Sequence, residues 1–225
     1  MLDIKILIIS SFFSLIILII ISLFLWYKLP QEKYPKYFAL FSIIFLIGQM
    51  LTSSRNVIPD WLSIVIGNTL LCLGYMFLYV GIGNLLNLNA KWHNRYFLPI
   101  GVLLLGFILF TYVHYNVAMR IVIFSIFCVI YGSIVGWLFW KNARKGFKTL
   151  DNISAFLFFI GVIMFSIRTI KASTIKIPAN YLSTTDLMIT LVYVYLFFIT
   201  IWLSFILIIN AIKIPLDKKA LKSKT

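Results

Sequence analysis

Acidic residues are scarce in this chain of 225 residues: six Asp and Glu stand against 20 Lys and Arg. Charged residues of either sign make up only 12%, where an ordinary soluble domain has roughly 25%. Histidine and cysteine occur twice each. So few charges beside 62% hydrophobic residues exclude a soluble enzyme and a disordered tail. Two cysteines, Cys72 and Cys128, both inside apolar runs, exclude a disulfide scaffold. His93 and His114 have no His, Cys or acidic partner at ligand spacing, and no Gly-rich phosphate loop occurs. The expectation is therefore no catalytic set, no metal and no cofactor.

What the chain has is apolar length, with mean hydropathy +1.03. A helix that crosses a bilayer needs about 20 mainly apolar residues. Seven segments qualify: about 4–27, 37–54, 61–86, 97–115, 118–140, 152–171 and 184–212. Short polar connections leave no room for a soluble domain. The sequence predicts an all-α integral membrane protein, a seven-helix bundle over 1–212 with a short basic tail at 213–225. The first segment is too long for the roughly 7–15 residues of a signal h-region, and no small-x-small site precedes Trp26, so it reads as an uncleaved helix.

Basic residues give an orientation. Lys5, Arg55, Arg120, Arg168, Lys171 and Lys176 fall on one side of the alternation, and the other 14 of the 20 fall on the other. The richer side is cytoplasmic by the positive-inside rule, which puts the N-terminus outside and the C-terminus inside. A miscounted helix would blur this split. The net charge of +14 then records orientation and contact with anionic lipid, and nucleic acid is not an expected partner. Aromatic residues agree: Trp26, Trp92, Tyr96 and Trp137 lie near the inner interface, and Trp61, Tyr112, Tyr115 and Tyr181 near the outer one.

Local signals mark helix ends and contacts. Asp60, Asp151-Asn152 and the Ser183-to-Asp186 capping box read as N-caps of the third, sixth and seventh helices. Gly132 and Gly136 form a GxxxG on the fifth helix. It is either a chance pair or a close-approach face, and as a face it would allow a homo-oligomer.

No Asp, Glu or Lys lies at the centre of a span, which disfavours ion-coupled carriers and retinal proteins. The polar residues that remain are few. Gln49 and Asn68 read either as helix-packing glue or as the floor of an outward-facing cavity. Arg168 and Arg120 read either as snorkelling to outer headgroups or as anchors for a small anionic or amphipathic ligand. Asp186 is a partner for Arg168, and Asp60 for Arg55. The candidate ligand set is thus Arg168, Arg120, Asn68, Gln49 and Asp186, and plain interfacial pairing is the competing reading.

One stretch carries a family likeness: Arg55-Asn56-Val57-Ile58-Pro59-Asp60-Trp61-Leu62-Ser63, then Asn68, Leu70-Leu71 and Gly74-Tyr75. It resembles the integral-membrane sensory region found ahead of GGDEF diguanylate cyclase domains in bacterial signalling proteins. Arg55, Pro59, Asp60, Trp61 and Gly74 form its most specific part. The likeness runs over about residues 20–212 and includes Met119-Arg120-Ile121-Val122 and Asn210. It implies a seven-helix sensory module in a bacterial cytoplasmic membrane. No Gly-Gly-Asp/Glu-Glu-Phe sequence occurs, so cyclase activity is not implied. Pro215 is expected to break the last helix. The expected function is a non-enzymatic sensor that signals through a separate cytoplasmic or membrane partner. A small-solute transporter and a structural subunit of a membrane complex are the alternatives.

Overall fold

A computed structural model of the protein describes residues 4–88, 99–174 and 187–222. The seven helices are α1 (Ile4–Lys28), α2 (Tyr34–Ser53), α3 (Trp61–Leu85), α4 (Pro99–Val113), α5 (Val117–Lys141), α6 (Lys148–Thr174) and α7 (Leu187–Lys222). The first turns of α3, Trp61–Ile66, and the last of α4, Leu109–Val113, are wound as π-helix. Among the described residues an isolated bridge between Arg55 and Ile58 is the one non-helical pairing.

Among the described residues six helices are long and apolar enough to cross a membrane: α1, α2, α3, α5, α6 and Leu187–Ile212 of α7. This is a helical, multi-pass membrane protein. Helices follow from the solvent, because in lipid each backbone N–H and C=O must be satisfied within the segment. α4 is shorter, about 22 Å at ~1.5 Å per residue against a hydrocarbon core of ~30 Å. The segment expected at 97–115 starts among residues outside the described part.

α1 lies between α2 and α7, α2 packs on α3, α3 on α5, and α5 on α6, with α6 against α7 closing a ring. α4 stands outside the ring against α3 and α5. Phe38, Phe139, Leu203 and Ile206 are among the fully enclosed residues of the core. The perimeter is apolar too: Ile6, Phe13, Ile20 and Phe24 on α1 and Phe198, Ile201, Phe205 and Ile208 on α7 are exposed. On α1 these residues recur seven and four apart and on α7 three and four apart, in each case a lipid-facing stripe.

α2 packs closely against α3. Phe38, Phe45 and Thr52 on α2 meet Gly81, Gly74 and Gly67 on the antiparallel α3, both sets spaced by seven. A Cβ on Gly67 would stand 2.8 Å from Thr52 Cγ2, and one on Gly74 3.1 Å from Phe45. Glycine is what lets these backbones approach. Gly132 and Gly136 do the same for α5 against α6, where added Cβ atoms would meet Val162 and Phe159. That small-residue face packs against α6 of the same chain.

Some expectations at helix ends are corrected. Asp60 is exposed and makes no capping hydrogen bond. Its backbone is already helical, at φ −59° and ψ −35°, whereas a capping residue needs extended backbone to fold its side chain over the first turn. Instead Pro59 C=O accepts from both Leu62 and Ser63 N–H, at 3.0 Å each. Asp151 does not cap α6, because the helix starts three residues earlier at Lys148. A cap not foreseen is Asn116, extended at φ −147°, whose side chain accepts from Met119 N–H at the start of α5. α7 runs through Pro215 to Lys222. Proline deletes one helical hydrogen bond, and the turns on either side carry the helix across it. Ser183 to Asp186, Tyr181, Trp92, Tyr96 and His93 lie outside the described residues.

Candidate functional site

Antiparallel helices bring the end of α2, the start of α3, the start of α5, the end of α6 and the start of α7 to one end of the ring. There they enclose a cavity of about 870 Å³, its open mouth included. Arg55, Arg120 and Arg168, far apart in sequence, all line it.

Each arginine is held in its own way. Arg120 sits one turn into α5 and is only 6% exposed. Its guanidinium lies 5.0 Å from the centre of the Tyr115 ring, and Nη1 is buried with no hydrogen-bond partner. Arg168, in the penultimate turns of α6, has its guanidinium 6.0 Å from the Phe124 ring, and its Nε is likewise buried and unpartnered. Cations are attracted to the ring faces, but a ring accepts no conventional hydrogen bond from these N–H groups. Arg55 is turned inward by the α2–α3 loop, where Ser54 C=O accepts from Val57 N–H at 3.0 Å and Ile58 N–H at 3.2 Å. Asn56 takes the left-handed conformation, at φ 73°, that closes this loop. Arg55 Nε is also buried without a partner. Burial first, and the neighbouring Arg120 charge second, push the Arg55 guanidinium down to about 10, so it stays protonated at neutral pH.

The expected pair between Arg55 and Asp60 does not form. Asp60 points into solvent, and the ion pair seen among the described residues lies at the other end of the bundle. Asp186, the expected partner of Arg168, lies outside the described part. No carboxylate occurs among the described residues that line the cavity. Three cations therefore face a space whose walls are otherwise mainly apolar.

Gln49 and Asn68 both line the cavity. Gln49 Nε2 donates to Ser11 Oγ on α1, and its Oε1 is buried without a donor. This amide thus ties α1 to α2. Asn68 Nδ2 donates to Ile64 C=O of its own helix at 2.6 Å, so it does not join two helices. Both amides stand on the wall. Phe45 is one turn deeper than Gln49 and Tyr75 two turns deeper than Asn68, at 5.4 Å between ring centres in an edge contact. With Phe165 and Leu196 they make an apolar inner end, where Gln49 and Asn68 were expected to form the floor.

The remaining motif residues have structural placements. Pro59 starts α3 with its carbonyl, Trp61 is 54% exposed at the rim, and Gly74 lies in the α2–α3 contact.

The opposite end of the ring holds an assembly the sequence did not reveal. Asp151, fully buried, accepts from Arg144 Nη2 at 2.7 Å, Arg144 Nε at 3.0 Å and the Arg144 backbone N–H at 2.8 Å. Arg144 Nη1 donates to Asn210 Oδ1 on α7 at 2.5 Å and to Leu85 C=O, the last residue of α3, at 3.4 Å. The guanidinium stacks 4.5 Å from the centre of the Phe147 ring. Gly146, at φ 92°, turns the loop so that Arg144 can reach back to Asp151. One side chain thereby fastens α3, α6 and α7. Further along α7, Thr200 Oγ1 lies 2.6 Å from Ser14 Oγ on α1, and Trp202 Nε1 donates to Ser154 Oγ on α6 at 3.0 Å.

No family model matches the chain, and no curated protein and no solved structure matches it.

Proposed function

We propose that the protein is a non-enzymatic sensory module of a bacterial cytoplasmic membrane. In this reading it spans the bilayer seven times, with its N-terminus outside and its C-terminus in the cytoplasm. It takes a small anionic ligand into the arginine-lined cavity and passes the change through α7 to a separate partner. The observation that carries the reading is the set of three arginines with buried, unpartnered N–H groups around one cavity. Buried cations persist where they are paired or where a ligand completes them. α7 supports the signalling part, because it contributes Ile189, Val192 and Tyr193 to the cavity and Asn210 to the Arg144 assembly. The split of basic residues supports the orientation, with the segment that holds α4 as the fourth span. The likeness to sensory regions ahead of GGDEF domains favours a sensor over a transporter.

Two measurements test this. A reporter active only in the cytoplasm should be active when fused after Thr225 and silent when fused before Asp3. Spin labels on Trp140→Cys and Ile212→Cys, both exposed positions at the inner ends of α5 and α7, should change separation when an anion occupies the cavity. Reporter activity at both ends would overturn the topology. A separation that stays fixed in protein shown to be occupied would overturn sensing through α7.

A further inference from the structure

The cavity is built in two tiers that call for different chemistry. Its outer tier holds Arg55, Arg120 and Arg168. Its inner end holds Phe45, Tyr75 and Phe165, with Phe165 about one helical turn deeper than Arg168 and Phe45 ten residues before Arg55. Inorganic phosphate or chloride would satisfy the outer tier and leave the aromatic end to water. A neutral apolar molecule would fill the inner end and leave the guanidinium N–H groups unpaired. Leaving a buried charged donor unmet costs more than a net hydrogen bond returns, so neither partial occupant suits the whole site.

We propose that the ligand of this cavity is an amphipathic monocarboxylate, an acid group joined to one aromatic ring or an alkyl chain of similar size. The carboxylate lies among Arg55, Arg120 and Arg168, and the apolar body lies against Phe45, Tyr75 and Phe165. Two carboxylate oxygens match the fork of a guanidinium and can bridge two arginines at once. The inference rests on the anion-binding reading above and narrows it.

The test uses the full chain in nanodiscs of zwitterionic lipid and follows thermal unfolding as ligand is added. The probes are 3-phenylpropionate, 3-phenylpropanol, propionate and inorganic phosphate. 3-Phenylpropionate should stabilise the protein saturably, with affinity about tenfold or more above both the alcohol, which lacks the charge, and propionate, which lacks the ring. Arg120→Gln and Arg168→Gln should each weaken it by about tenfold or more, the scale of one charge-assisted hydrogen bond. Should those variants fold poorly, Leu196→Phe serves instead. It narrows the inner end and should weaken 3-phenylpropionate while leaving propionate unchanged. Equal effects of the acid and the alcohol would overturn the proposal, because they would mean partition into apolar surface. Phosphate binding as tightly as 3-phenylpropionate would overturn the amphipathic class and leave the anion-binding reading standing. Binding of 3-phenylpropionate with no movement of the α5 and α7 labels would leave the ligand class standing and overturn sensing through α7. A final arm adds an anionic phospholipid to the discs. Unchanged affinity for the acid is expected, and competitive loss would overturn a free acid in favour of a lipid headgroup.

Discussion

Replacing Asp151 by Asn tests the assembly at the inner end of the bundle while keeping nearly the same side-chain shape. The substitution removes the negative charge that faces Arg144 and offers an amide N–H₂ to a guanidinium that can only donate. Asp151 has no exposed surface, and the Arg144 side chain is 15% exposed. Breaking a buried ion pair by removing one partner costs about 3–5 kcal/mol. Arg144 keeps some contact with water, so part of its charge can be rehydrated, and we expect about 2–4 kcal/mol here. Arg144→Leu should cost a similar amount, because it strands the carboxylate. It also frees the Asn210 amide oxygen and Leu85 C=O from their donor. Arg144→Leu combined with Asp151→Leu should cost less than either single change, since no charge is then left buried. Unfolding by steric trapping in bicelles measures all four proteins on one scale. Asp151→Asn within about 0.5 kcal/mol of the parent, the range of a plain surface change, would refute the reasoning. So would a double variant less stable than both singles.

Two further outcomes follow from packing. A Cβ on Gly161 would lie 2.3 Å from the Tyr195 hydroxyl oxygen and 2.5 Å from Cζ. Gly161→Ala should therefore cost about 1–3 kcal/mol by overpacking, measured by the same trapping assay, and Tyr195→Leu should recover part of it. A loss that Tyr195→Leu leaves untouched would place the strain elsewhere. Cys72 and Cys128 are free and buried on α3 and α5, so a membrane-impermeant maleimide should label neither in intact membranes and both after denaturation in detergent. Rapid labelling of the intact protein would contradict the packing of those helices.

Much of the fold could be read from the sequence because the bilayer leaves the backbone little choice. A run of Leu, Ile and Phe of that length must be a helix. The helix ends were harder. At Asp60 and Asp151 a carboxylate near a helix start has several uses, and capping is only one of them. Asp151 is committed to a partner seven residues earlier, across a turn that depends on Gly146 at φ 92°. Spacing rules for caps or for i,i+4 pairs do not cover such a contact. In the sequence Arg144 is one loop cation among the basic residues of the inner side. Nothing in its immediate neighbours separates it from Lys141 or Lys145, because its distinguishing contacts, Asn210 and Leu85, are 66 and 59 residues away. The glycine stripe at Gly67, Gly74 and Gly81 was present as a heptad, matched by Phe38, Phe45 and Thr52. Heptads on two different helices become one signal only once those helices are known to pair.

Whether Arg120 and Arg168 face lipid or cavity could also have been argued further from the sequence. On α6 the exposed positions include Ile153, Phe156, Ile163, Ile167 and Ile170, and the buried ones include Phe158, Gly161, Phe165 and Ala172. Arg168 is three residues from Phe165 and four from Ala172, which puts it on the inward face. On α5, Met119, Ile126 and Ile130 are exposed, whereas Val117 and Ile121 are buried and share a face with Arg120 and Phe124. In both helices the side open to lipid carries isoleucine; on α6 the side with the arginine carries aromatic and small residues, and on α5 it carries Val117, Ile121 and Phe124. Snorkelling needs a path along the helix surface to the headgroups. An arginine whose neighbours at three and four residues are buried has no such path unless the bundle opens. For these two residues the periodicity of the helix favours the cavity over the headgroups.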